Sequence, residues 1–154
     1  MKSFVVEVFR KKSFMDFAGA RVAKQAQELG FSDIQRVRAA SVYRIDGNLS
    51  RKDCSVIAKT LLADPVADDF IIMDSSSSRK RNSCRTIEIW FHPNVTDTVG
   101  ETVMIGVRDL GIARVQRVAT GRSYHIEQPV SDDIVHSFTR QVLANSLIHT
   151  CNYY

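Results

Sequence analysis

The chain has 154 residues, 44% apolar and 25% charged, with a formal net charge of +4. That suits one compact domain or two small ones with an ordinary core. No run approaches the ~20 apolar residues of a membrane helix, Met1-Lys2 leads straight into a strand pattern, and the three cysteines form no CxxC pair. Reduced thiols, a cytoplasmic location and no membrane partner follow as expectations.

Phe4–Phe9 reads as the first strand, with Phe4, Val6 and Val8 on one face and Val5, Glu7 and Phe9 on the other. Asp16 is placed to cap a helix whose stripe is Ala18, Val22, Ala26 and Leu29, with Gly30 at its left-handed end. A second strand runs from Ile34 to Ile45, followed by turn residues Asp46-Gly47-Asn48. Ser50 and Asp53 form a capping-box pattern ahead of a helix with Cys54, Ile57, Ala58, Leu61 and Leu62 inside. Pro65 falls past its end, and Phe70–Met73 is a short third strand.

The only low-complexity stretch, Asp74–Ser83, is serine-rich and carries Arg79-Lys80-Arg81. It reads as a mobile linker. Residues 74–85 carry 4 basic and 1 acidic residue, against 12 and 9 in residues 1–73 and 5 and 7 in residues 86–154. About half of the positive excess therefore sits in the linker, which favours a solvated connection over a nucleic-acid site.

The order then starts again. Thr86–Phe91 is a strand, Asp97 a cap, and Val99, Val103, Val107 and Leu110 the helix stripe, closed by Gly111. Val115–Ile126 is the next strand, Ser131 caps a helix containing Phe138, Val142 and Leu143, and Thr150–Tyr154 is the last strand. Glu88–Glu127 overlays Glu7–Asp46 without a gap at an offset of 81 positions. Asp97 lands on Asp16, Gly100 on Gly19, Leu110-Gly111 on Leu29-Gly30 and Tyr124 on Tyr43. A gapless self-match of that length is a tandem duplication, with units at 1–73 and 86–154 joined by 74–85.

Two helices per unit cover one sheet face. Val5 and Phe9 in the first copy and Trp90 in the second lie on the opposite parity, so they are expected to pack one unit's sheet against the other's. The four histidines show no zinc spacing, and there is no GxSxG, Walker or GxGxxG motif. Gly121 and Arg122 place a guanidinium on a strand, where it can grip a carboxylate or phosphate. Met104 and Ile105 extend the apolar surface beyond the helix stripe where the first copy has Ala23 and Lys24, which marks a partner-facing patch.

Three motifs carry a family resemblance. They are Val95-Thr96-Asp97-Thr98-Val99-Gly100 at a helix start, Val118-Ala119-Thr120-Gly121-Arg122 on a strand, and Leu61-Leu62-Ala63-Asp64-Pro65-Val66 at a helix end. The chain resembles, once per unit, the PurS subunit of phosphoribosylformylglycinamidine synthase and the PurS-like N-terminal domain of its long single-chain form. The resemblance implies an α+β fold of two β-α-β-α-β units, each an antiparallel three-stranded sheet plus two helices, packed as a pseudo-twofold intramolecular dimer.

It also implies a non-catalytic role, as subunit or N-terminal segment, bridging a synthetase and a glutaminase during ammonia transfer in purine synthesis. ATP, magnesium and glutamine are then used by the partner subunits and no cofactor is bound here. The interface candidates are Gly121, Arg122, Met104, Ile105, Asp64, Pro65 and Val66, and further self-association is allowed. The alternative is a small RNA-binding module using Arg79-Lys80-Arg81, which requires solvent-facing aromatics on the sheet such as Phe9 and Trp90.

Overall fold

The computed structural model describes residues 1–77 and 85–154. Its elements are β1 (Lys2–Arg10), α1 (Phe17–Glu28), β2 (Val37–Gly47), α2 (Arg51–Ile57), β3 (Asp68–Asp74), β4 (Arg85–Phe91), α3 (Thr98–Asp109), β5 (Val115–Ile126), α4 (Asp132–Phe138) and β6 (His149–Tyr153). The two shorter helices each run on into a π turn, Ala58–Leu62 after α2 and Thr139–Leu143 after α4. The amides of Ala63 and Ala144 close these turns by donating to Ala58 and Thr139 (both 2.9 Å).

All the strand pairs are antiparallel and form one six-stranded sheet, in the order β3-β1-β2-β5-β4-β6. The two copies therefore join edge to edge, not face to face as Val5, Phe9 and Trp90 suggested. Within one copy β2 would be an edge strand with a row of unpaired amides and carbonyls, and so would β5; pairing them removes both edges. Their ladder runs from Val37 against Ile126 to Gly47 against Val115. The remaining edges, β3 and β6, are short, and β3 carries Asp68, Asp69 and Asp74, which discourages further strand addition.

The helices lie on the face that carries Phe4, Val6, Val8, Ile87 and Ile89, and they are exchanged between copies. Val22 and Ala26 of α1 share a core with Ile87, Ile89, Tyr124, Ile126, Val135 and Phe138 of the second copy. Val107 of α3, in turn, packs with Phe4, Val6, Ile45, Cys54 and Ile57 of the first. Phe31, just after α1, meets Phe138 of α4 edge to face at 5.5 Å. Each copy thus supplies a helix to cover the other's strands. Burial pushes the Cys54 thiol in this core up to about 12, so it stays protonated and inert.

The repeated Asp-x-x-Gly has a shared physical cause. Asp16 Oδ1 accepts from the Gly19 amide (2.9 Å) to cap α1, while its Oδ2 accepts from the Ala39 amide of β2 (2.8 Å). Asp97 caps α3 through Gly100 (2.8 Å) and takes both the amide (2.6 Å) and hydroxyl (2.7 Å) of Thr120 on β5. The helix start is thereby pinned so close to the strand that a Cβ at Gly19 would lie 2.3 Å from the Val37 carbonyl oxygen, and one at Gly100 2.7 Å from that of Val118. Both helices end on glycines with positive φ, 85° at Gly30 and 76° at Gly111, a conformation that costs a side-chain-bearing residue more.

Replacing Asp97 by alanine should cost about 2–4 kcal/mol, from the lost cap and the stranded Thr120 amide. Asp16→Ala, which loses one strand bond instead of two, should cost less. Chemical denaturation of both variants reads the difference.

One further point differs from the sequence reading. Residues 34–36 are not strand, because Gln128 Oε1 accepts from the Gln35 (3.1 Å) and Arg36 (3.0 Å) amides where a ladder would have continued. The mobility expected of the serine-rich linker falls largely on residues 78–84, outside the described residues. Ser75–Ser77 before them turn back, Ser77 donating from its amide to Asp74 (3.0 Å).

Candidate functional site

Ser41 of β2 and Arg122 of β5 face each other at the middle of the central ladder. They lie on the helix-bearing side, in the gap the two helix pairs leave, with a cleft on either side. One, of about 450 Å3, is lined by Tyr43, Phe91, Thr120, Arg122, Leu143 and His149 among others. The other, of about 410 Å3, is lined by Phe9, Arg10, Leu62, Asp68, Arg122 and Tyr124 among others.

Their electrostatics differ. In the smaller cleft Asp68 pairs with Arg10 (3.2 Å) and accepts from the Asp64 amide (3.1 Å). At the corresponding place in the larger cleft stands His149, whose Nδ1 accepts from the Asn145 amide (3.1 Å). Burial, with the nearby His92, holds His149 below the usual histidine range, so it is neutral at physiological pH. Tyr43 is held above the usual tyrosine value, chiefly by burial. Arg122, exposed and in neither case paired with a carboxylate among the described residues, is the cation both clefts share. A planar guanidinium flanked by Ser41, Tyr43 and Tyr124 suits a carboxylate or the carbonyls of a docked chain.

Gly121 serves packing more than flexibility: a Cβ there would lie 2.4 Å from the Ile89 carbonyl oxygen and 2.9 Å from the Trp90 ring. Met104 and Ile105 line a different cleft, between α3, β5 and the loop after β4. Asp64, Pro65 and Val66 form the turn into β3. There Asp64 Oδ1 accepts from the amides of Val66 (2.8 Å) and Ala67 (3.0 Å), and these two bonds hold its carboxyl below the usual range. Asn145 makes the matching turn in the second copy by accepting from Leu147 (3.0 Å). Val66 and Leu147 point outward there, 68% and 82% exposed. The seven interface candidates are thus spread over three places.

On the helix-free face Val5 and Trp90 come together around Val42, while Phe9 lies apart, lining the smaller central cleft. Arg44 stacks over the Trp90 ring at 5.2 Å. Beside them lies a polar cluster that sequence reasoning missed. Glu7 of β1 reaches over Ala40 of β2 to bond His125 of β5, whose ring also bonds Thr86 (2.9 Å) and Ser123 (3.1 Å). Glu88 accepts from the Trp90 indole (3.1 Å). Glu7, Thr86, Glu88, Ser123 and His125 are all buried. The visible signal was a glutamate at the same place in two otherwise apolar strands, Glu7 between valines and Glu88 between isoleucines.

Among the described residues no cluster of His, Cys, Asp or Glu could hold a metal ion, and no helix is long and apolar enough to cross a membrane. Fold and clefts define an antiparallel α+β protein built twice from one unit. The family model PurS, described as Phosphoribosylformylglycinamidine (FGAM) synthase, matches residues 3–74 and again 85–154. The chain belongs to that family, carries two copies of its unit in tandem, and so belongs with the FGAM synthase of purine biosynthesis. A search of curated proteins gave no match.

Proposed function

We propose that this chain is a non-catalytic assembly subunit or segment of FGAM synthase, a fused dimer of PurS units (1–73 and 86–154) that bridges the synthetase and glutaminase parts and supports ammonia transfer. The observation that carries this reading is the family match to both halves in sequence. In this reading the work is cytoplasmic, and ATP, magnesium and glutamine are handled by the partners.

The central ladder supports the fused-dimer part. Exchanging the copies by the 81-residue offset turns Val37–Ile126 into Ile45–Val118, and Ala39–Tyr124 into Tyr43–Thr120, which are all pairs of the same ladder. Only Ser41–Arg122 maps onto itself, a register that supports a pseudo-twofold axis at that pair. In a dimer of identical units the residue at this point would face its own copy about 5 Å away, and two arginines would repel. Duplication lets one be arginine and the other serine, and so lets the two sides of the axis meet different partners. The RNA reading lacks its platform, because Trp90 is buried and covered by Arg44.

The test is gel filtration of the chain with a synthetase and a glutaminase subunit, with and without Arg122→Ala. The exposed position predicts stability within about 0.5 kcal/mol of wild type. Association should weaken tenfold or more, as loss of a charge-assisted bond of about 1.5–3 kcal/mol implies. Failure of the wild-type chain to co-elute with either subunit contradicts the reading.

A further inference from the structure

A third cleft, of about 600 Å3, lies between the loop that follows β4, the outer face of α3 and the β5 strand. Trp90, Val95, Met104 and Ile105 give it an apolar lining, and Arg44, Arg108 and Arg117 give it charge. Ile105 is 60% exposed. Its own carboxylates are Asp97 and Glu101. Asp97 is already occupied, both oxygens accepting from Gly100 or Thr120. Among the described residues Arg108 and Arg117 have no ion pair, and Arg44 reaches Asp46 only at 4.0 Å.

The corresponding surface of the first copy lacks this chemistry. Ala23, Lys24 and Gln27 replace Met104, Ile105 and Arg108. Arg36, just before β2, and Arg38 on it share the single carboxylate of Glu127 at 3.7 and 3.3 Å. One scaffold therefore presents an apolar, unpaired-arginine cleft in one copy and a surface of ion-paired cations in the other.

We propose that this cleft docks an acidic segment of a partner protein, one that places a bulky apolar side chain against Ile105, Met104 and Val95 and carboxylates against Arg108, Arg117 and Arg44. Charge complementarity selects the acidic partner. The exposed isoleucine on the rim selects a protein chain over a small anion, since a free anion gains nothing from it while a docked side chain buries it. The proposal rests on the bridging role and names the chemistry of one of its contacts.

Trp90 is the only tryptophan of the chain and lines this cleft, so its emission reports on occupancy directly. The experiment titrates the full chain with the synthetase subunit and with the glutaminase subunit, each with its own tryptophan signal subtracted, and follows complex formation by gel filtration. The variants are Ile105→Asp with Arg108→Glu in the second copy and Lys24→Glu with Gln27→Glu in the first. All four positions are exposed, and a thermal melt checks that each variant is folded. Arg108→Gln is the milder second variant.

One partner should shift Trp90 emission, with an affinity that falls steeply with salt. The second-copy pair should weaken that binding at least thirtyfold, Arg108→Gln should weaken it several-fold, and the first-copy pair should change it less than threefold. A complex that forms while the second-copy pair binds within threefold of wild type overturns the docking site but leaves the bridging role standing. Absence of any complex with wild type overturns both. Saturable quenching of Trp90 by inorganic pyrophosphate or ATP alone at micromolar concentration, lost in Arg108→Gln, makes this a small-anion site and overturns the docking proposal.

Discussion

Expressed apart, residues 1–77 and residues 85–154 should each fail to fold as a monomer. The second half on its own loses Val22, Ala26, Ile34 and Val37, all buried against its Ile87, Tyr124 and Ile126. Burial of a full-sized aliphatic side chain stabilises by roughly 1.5–3 kcal/mol, so these four contribute on the order of 5 kcal/mol or more. The ladder between β2 and β5 goes with them. A domain of this size has only about 5–15 kcal/mol in total, so the loss is decisive.

The isolated halves should therefore show no cooperative melt by circular dichroism, or should be folded only as self-dimers. Self-pairing should come more readily to the first half, where Ser41 would meet Ser41, than to the second, where Arg122 would meet Arg122. Mixing the halves should restore the six-stranded sheet. A folded, monomeric half in sedimentation would refute the exchanged-helix arrangement.

Breaking the bond between Glu7 and His125 should be the most damaging single change on the helix-free face. It joins β1 of one copy to β5 of the other, and both side chains are almost fully buried. Removing one partner of a buried ionisable pair takes from the other its bond across β2 in a site closed to water, a loss of about 3–5 kcal/mol. For a chain of this length each kcal/mol lowers Tm by about 2–4 °C, so Glu7→Ala should melt roughly 6–20 °C below wild type. Replacing both groups together, Glu7→Leu with His125→Leu, should cost less than the sum of the two single leucine changes, because neither member of the pair is then left facing an apolar side chain in place of the other. If Glu7→Ala melts within about 2 °C of wild type, a cost under about 1 kcal/mol, the bond has no such structural weight.

The duplication, the four caps at Asp16, Ser50, Asp97 and Ser131, and the strand parities were all readable from the residues, because each depends on local spacing or on side chains that repeat at one offset. Strand parity identified which residues share a face. It could not tell which edges meet, because a sheet edge is made of backbone amides and carbonyls common to every sequence. Edge pairing of β2 with β5, and not face packing through Val5 and Trp90, was therefore hidden. The exchange of α1 and α3 was hidden for a similar reason: an apolar stripe such as Val22 and Ala26 specifies burial, not the partner it is buried against.

Glu7 and His125 are far apart in sequence and meet only because the small Ala40 between them lets the two side chains span β2. Of the candidate site, the chemistry of Arg122 was legible and its position opposite Ser41 in the central ladder was not. Gly121 was read as an interface candidate beside Arg122, yet the indole of Trp90 occupies the space its missing side chain leaves. Asp64 was read as a surface contact, yet its carboxylate is consumed in building the turn.

The central claim is that this chain works by completing an assembly. It is tested most directly by measuring FGAM formation by the synthetase and glutaminase subunits, with glutamine and with ammonia as nitrogen source, before and after adding the chain. A bridging chain should give a large rise in the glutamine-dependent rate, a much smaller change in the ammonia-dependent rate, and loss of most of the rise with Arg122→Ala. No change in either rate and no complex formation would contradict it, as would turnover of any purine intermediate by the chain alone.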